Sequence, residues 1–362
     1  MQHSGLTIVC TIAILATIPA LSVQYREFLD RASVRASTTL TIFISASSLL
    51  IWLLISFFVP QVWNSPLEYP TAALAAVAGF LASLTVRDTT SHPLTSALFS
   101  IGWTALVFSP IAIVVLFPTS VGIPLTAGPL DLGGALPVQV AVGSGALVVL
   151  TVARNWAVGD RSHERPRSWL LLGCGLVIWF GWILGFVGLE LQVDSVVTPR
   201  IIVNSIVAPL CAAIGWLIGQ RIISATTSAT GAVAGLFCGV VAISAGSAYF
   251  QPFWAGLTGA AAGLACSIFV YRRIAKTRRH AWFLVGSHLI AASVGLVMVG
   301  LFGSSLGFIF DGQLTLVEVQ LLSIIAVVVW AGLVSLVLWL LVRRAARRAA
   351  ERVAPATASS LQ

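Results

Sequence analysis

Inside the apolar runs of this chain, few side chains can hold or pass a proton. The most isolated is His288, the only ionisable residue in the bilayer-length run from Ala281 to Gly303. Such a group is unfavourable there unless it meets a partner or a wet cavity, so it is a candidate for proton transfer or for hydrogen-bonding a small solute. The plainer reading is a histidine that only ties two helices together. Gln139 is the one strong polar side chain of a second run, which begins just after Asp131. Its amide can donate and accept hydrogen bonds but cannot exchange a proton near neutral pH. No intramembrane nucleophile–base set, paired carboxylates or metal cluster occurs, so neither an enzyme nor a cofactor is expected. Cys10, Cys174, Cys211, Cys238 and Cys266 lie in apolar runs without CxxC spacing and read as small packing residues.

Membrane helices must position these groups. The chain is 58% hydrophobic and 9% charged, with a mean hydropathy of +0.99, which excludes a soluble domain. Apolar runs of about twenty residues recur along nearly all of it, as in a polytopic all-α membrane protein. The alternation of a β-barrel strand is missing. Eleven spans are expected at about 6–24, 38–59, 69–86, 94–117, 133–153, 168–189, 201–223, 229–247, 253–271, 281–303 and 317–342.

The net charge of +8 then reports topology, not nucleic-acid binding. Arg26, Arg31 and Arg35 follow span one, Arg87 span three, and Arg154, Arg161, Arg165 and Arg167 span five. Arg221 follows span seven; Arg272, Arg273, Lys276, Arg278 and Arg279 follow span nine; Arg343, Arg344, Arg347, Arg348 and Arg352 follow span eleven. Nineteen of the twenty basic residues thus share one side, and only Arg200 lies on the other. That alternation puts the N-terminus outside and the C-terminus in the cytoplasm, with membrane lipid around the bundle.

An odd count with short loops suggests two inverted five-helix halves, about 6–153 and 168–303, plus the final helix, in one membrane domain over 1–353. A short cytoplasmic tail, 354–362, follows. Span five then partners span ten across a pseudo-two-fold axis. Gln139 and His288, entering from opposite faces, each lie about 10 Å deep, so they are expected to face one central path. Gly231, Gly235 and Gly239 form a small-xxx-small ridge on span eight. Pro110, Pro137 and Pro209 are expected to kink spans four, five and seven. Glu190, Asp194 and Arg200 form an outer loop cluster that reads as solvated, Glu318 is an interfacial charge, and His3, His92, His163 and His280 carry no assigned role.

Several segments resemble the ammonium transporter (Amt/Rh) family, in order and over most of the chain. They are Phe108-Ser109-Pro110-Ile111-Ala112; Asp131-Leu132-Gly133-Gly134 with Val138-Gln139 and Gly143; Ile178-Trp179-Phe180-Gly181-Trp182 with Gly188, then Val203-Asn204-Ser205; and Gly286-Ser287-His288 with Gly295 and Gly300-Leu301-Phe302. The resemblance implies a cell-membrane homotrimer with a narrow apolar pore in each subunit. Ammonium would be gathered at an outer vestibule, and ammonia would cross past two stacked histidines.

His288 matches the second of these histidines, Trp182 a pore-lining tryptophan, and Asp131 an aspartate beside the recruitment site. The first histidine position is Gln139. The vestibule tryptophan and serine positions fall on Leu116 and Leu189. A gating phenylalanine falls on Gly185, with Phe186 one residue away. The tail Arg343-Arg344-Ala345 onward does not resemble the tail that relatives use with nitrogen-sensing regulators, so no such partner is implied. The expected function is passage of ammonia with little proton-coupled current. The alternatives are a non-conducting sensor or structural paralogue, and a channel for another small neutral solute.

Overall fold

The computed structural model describes residues 2–29, 38–87, 93–124, 128–153, 167–191, 193–277 and 280–358. Arg31, Arg35, His92, Arg154, Arg161, His163, Arg165, Arg278 and Arg279 lie outside them. The described residues form helices and no strand. Among the described residues, ten helices are long and apolar enough to span a bilayer: α1 (Gly5–Phe28), α2 (Thr39–Phe57), α3 (Glu68–Val86), α4 (Leu94–Leu116), α5 (Ala135–Val152), α6 (Ser168–Leu189), α7 (Val197–Ser224), α9 (Pro252–Thr277), α10 (Trp282–Phe302) and α11, from Thr315. An eleventh apolar helix, α8 (Ala229–Ile243), is shorter. Expectation and architecture therefore agree on an all-α bundle of eleven apolar helices.

The contacts repeat as two halves. In the first, α1 packs on α3, α2 on α3 and α4, and α3 on α4 and α5; in the second, α6 packs on α8, α7 on α8 and α9, and α8 on α9 and α10. The halves join through α1 against α6 and α5 against α10. Because each half has five helices, its successor starts from the opposite end. Helix α11 lies against α5 outside this repeat. It runs unbroken from Thr315 to Ala358, 44 residues, past residue 342 and through most of the expected tail. The Arg-, Ala- and Glu-rich stretch after the apolar run is made of strong helix formers, so nothing local ends the helix before Pro355.

Small residues set the spacing. A Cβ built on Gly235 would lie 2.7 Å from Ala213 Cα, and one on Gly239 would lie 2.4 Å from Pro209 Cα. The expected ridge of α8 therefore lies against α7. Pro209 sits inside α7, which stays helical from Val197 to Ser224. Buried Asn204 donates from Nδ2 to Ser247 O at 2.8 Å and Phe250 O at 2.7 Å, fastening the turn between α8 and α9. Trp179 Nε1 donates to Ser205 O at 2.6 Å, so two of the family-like segments bind each other.

Candidate functional site

Helices α5 and α10 share an unusual backbone. Each has six residues of π-helix near its start, Ala135–Val140 in α5 and, after Trp282–Leu284, Val285–Ile290 in α10, followed by twelve residues of α-helix. Wide turns of this kind are rare and recur at functional sites. Gln139 and His288 both lie in these segments. Nearby carbonyls of the second are taken up by Ser287 Oγ, which donates to Phe283 O at 2.7 Å, and by Cys266 Sγ, which donates to Gly286 O at 3.0 Å. The two helices meet where Gly143 has no side chain. A Cβ there would be 2.4 Å from Leu289 N, in the residue after His288.

This approach brings the two polar groups together. His288 Nδ1 is hydrogen-bonded to Gln139 Oε1, and His288 Nε2 to the Tyr25 hydroxyl. An amide oxygen has no proton to give, so Nδ1 carries the ring proton and Nε2 accepts from Tyr25. Both ring nitrogens are engaged. Tyr25 is fully buried and lies nearly parallel to the imidazole, with ring centroids 5.9 Å apart. Phe237 stands edge-on to both rings, at 5.6 Å from His288 and 5.9 Å from Tyr25.

A cavity of about 10 Å³ lies against Gln139, His288 and Trp182, with Leu81, Phe237 and Ser244 among its other walls. That is room for roughly one water-sized molecule. Trp182 is thus beside the polar pair. Phe186 packs on Trp182 with centroids 5.5 Å apart, and a Cβ on Gly133 would meet its Cε1 at 2.5 Å. A Cβ on Gly185 would instead meet Ile14 Cγ1 of α1, at 3.1 Å. Helical rotation therefore turns Phe186, not Gly185, toward Trp182 and Gly133, although Phe186 itself is not one of the cavity's walls. Leu116 is half-buried and Leu189 buried, and neither is among the cavity's walls.

Asp131 sits before α5, where Gly134 adopts a left-handed φ of +72° that frees the first N–H groups to turn toward it. Its Oδ1 accepts from Ala135 N at 2.6 Å and its Oδ2 from Leu136 N at 2.7 Å. The carboxylate therefore caps the helix that carries Gln139. Burial outweighs these donors and raises its pKa from 3.8 to about 6. Burial also raises Glu190, helped by the charge of Asp194, while Asp194 is lowered by the N–H groups of Val196 and Val197. Tyr249 is raised by burial and then by the charges of Glu190 and Asp131.

A folded-state value above the unfolded one means the folded chain binds more protons between about pH 4 and 6. Stability contributed by this group should fall as pH rises through that window, by up to about 3 kcal/mol. In detergent, wild type should gain thermal stability relative to Asp131→Asn when the pH drops from 7 to 5. Asp131→Ala, which removes both acceptors, should melt several degrees lower at either pH. A wild-type advantage that grows toward pH 7 would contradict this assignment.

Tyr25 was not legible as a site residue. An aromatic beside Arg26 at the end of an apolar run reads as an interfacial anchor, and only the packing of α1 against α3 and α6 carries it inward.

The comparisons agree with this fold. The profile of the Ammonium Transporter Family matches residues 71–352. An ammonium transporter of Mycobacterium bovis is 29% identical over 230 residues, which cover 59% of this chain and 47% of that protein. An ammonium transporter of Bacillus subtilis is 30% identical over 248 residues, covering 67% and 60%. The chain thus spans between 47% and 60% of the length of these curated relatives. The crystal structure of Saccharomyces cerevisiae Mep2 superposes with a TM-score of 0.77 at 17% identity, covering 92% of this chain and 86% of that one. The chain belongs to the ammonium transporter family.

Proposed function

We propose that this protein passes neutral ammonia, one molecule at a time, along the path marked by Trp182, Gln139 and His288, without moving charge. The hydrogen-bond polarity of the cavity wall supports this reading. Gln139 Oε1 is held by His288 Nδ1, and Nε2 of the ring is held by Tyr25. What Gln139 can still offer a solute is its N–H group, an unspent donor, beside the second lone pair of Oε1. Ammonia has a lone pair to accept that bond. Ammonium has none, and would bring an unpaired charge into an apolar chamber at a cost of many kcal/mol.

The sidedness of the basic residues supports a cell-membrane protein with its N-terminus outside and its C-terminus in the cytoplasm. Asp131 and Glu190 then mark the outer mouth and Tyr25 the inner closure. The family resemblance supports a homotrimer in which each subunit carries its own path.

Purified protein in liposomes tests the reading. Ammonia-driven alkalinisation of the lumen should exceed that of protein-free vesicles, with no ammonium-evoked current on a supported membrane. A saturable current like that of a two-histidine relative would count against it. The second reading, a subunit that binds without conducting, is favoured by Tyr25, which closes the ring on its inner side. Saturable ammonium binding without flux would select that one.

A further inference from the structure

A second, larger cavity lies at the arginine-rich end, one aromatic ring below Tyr25. It measures about 220 Å³ and is lined by Glu27, Phe28, Trp216, Tyr271, Phe283 and residues of the α8 start, with His280 at its rim. Phe283 forms the partition: its ring is 6.0 Å from Tyr25 on one side and 4.4 Å from Phe28 on the other. Trp216 stands edge-on to Phe283 at 6.1 Å and to Tyr271 at 6.0 Å. Four aromatic rings therefore line a chamber in which, among the described residues, Glu27 is the one acidic wall residue.

Glu27 is 6% exposed. Its Oε2 accepts from Arg167 N at 3.0 Å, and Arg26 stands 4.0 Å from its Oε1 on the solvent side. These contacts hold the carboxylate in place. A fixed, desolvated carboxylate among aromatic faces attracts one kind of ligand strongly, a weakly hydrated cation. Ring quadrupoles favour it most when it is alkylated and water is excluded. The chamber is far larger than the cavity at His288, so it can take an ion that the path above cannot pass.

We propose that this chamber binds small alkylammonium cations from the cytoplasmic side, through the carboxylate of Glu27 and the rings of Phe28, Trp216, Tyr271 and Phe283. A bound cation sits directly below the Tyr25 closure and obstructs the exit. The binding half stands on the chamber alone; the obstruction half rests on the conduction reading and the orientation given above.

Tetramethylammonium is the probe, followed by calorimetry or ligand-observed NMR on the purified full-length protein in detergent. Wild type should bind it saturably, with sodium chloride as the blank. Glu27→Gln keeps the shape and the acceptor for Arg167 N but loses the charge, and should weaken binding about tenfold or more. Tyr271→Leu should weaken it less and carries the test if the first variant does not fold. Glu318→Gln, at the far end of α11, should bind as wild type does. In liposomes, tetramethylammonium loaded on the cytoplasmic face should slow ammonia equilibration, and the same salt on the other face should not. No saturable binding, or binding undiminished in both variants, overturns the proposal. Binding with no ammonia flux at all would sink the conduction reading and leave the chamber standing, whereas flux without binding would do the reverse.

Discussion

Replacing Gln139 with histidine should give the protein an ammonium-evoked current that the wild type lacks. In the native arrangement the ring proton of His288 is spent on an amide oxygen, and the amide cannot hand on a proton of its own. The hydrogen-bonded row therefore ends at Gln139. A second imidazole takes up and releases protons near neutral pH, so two rings in contact can exchange one. A positioned acid–base group speeds proton transfer by about 10²–10⁴-fold, and a current at least tenfold above background is the conservative expectation. Supported-membrane electrophysiology on Gln139→His, with Gln139→Ala beside it, reads this directly. The alanine variant should stay silent. A histidine variant that still passes ammonia but carries no current would show that the break in the row lies elsewhere.

The second large effect should come from a position with no polar atom in its side chain. Gly143→Val should reduce ammonia flux tenfold or more, because its Cβ would fall 2.4 Å from Leu289 N and 2.8 Å from Leu289 Cα. Backbone cannot rotate away as a side-chain tip can, so α10 must move off α5 by the better part of an ångström. Forcing extra atoms into a packed contact costs about 1–3 kcal/mol. The separation falls beside His288 and opens its bond to Gln139. Gly173→Val is the control, because nothing lies within 4 Å of its built Cβ. It should fold and conduct normally. Equal flux from both variants would mean that the crossing of α5 and α10 does not set the path.

The pairing of Gln139 with His288 was legible because it needs only topology. Charge alternation orients the helices, five-fold counting pairs α5 with α10, and the rise per residue sets the two side chains at like depths. Trp182 and Asp131 came from the family resemblance, and the geometry gives each a definite place. What sequence left open depends on rotation and backbone detail. Phe186 and Gly185 differ by about 100° around α6, and only the contacts of Gly133 with Phe186 and of Gly185 with Ile14 decide between them. The π turns have no residue signature, since neither glycine nor proline is required in them. The aromatic chamber draws its walls from α1, α7, α8, α9 and α10, so no local stretch announces it.

The smallness of the cavity beside His288 bears on the membrane as an insulator. Protons cross a barrier fastest along an unbroken file of hydrogen-bonded water. A chamber of about 10 Å³, walled by Trp182 and Phe237 beside the Gln139–His288 pair, holds a single link of such a file. On the conduction proposed above, a pore of this kind would stay in an energised bilayer without short-circuiting it, so the voltage and pH difference that drive other transporters would be left intact while a neutral gas-like solute equilibrates.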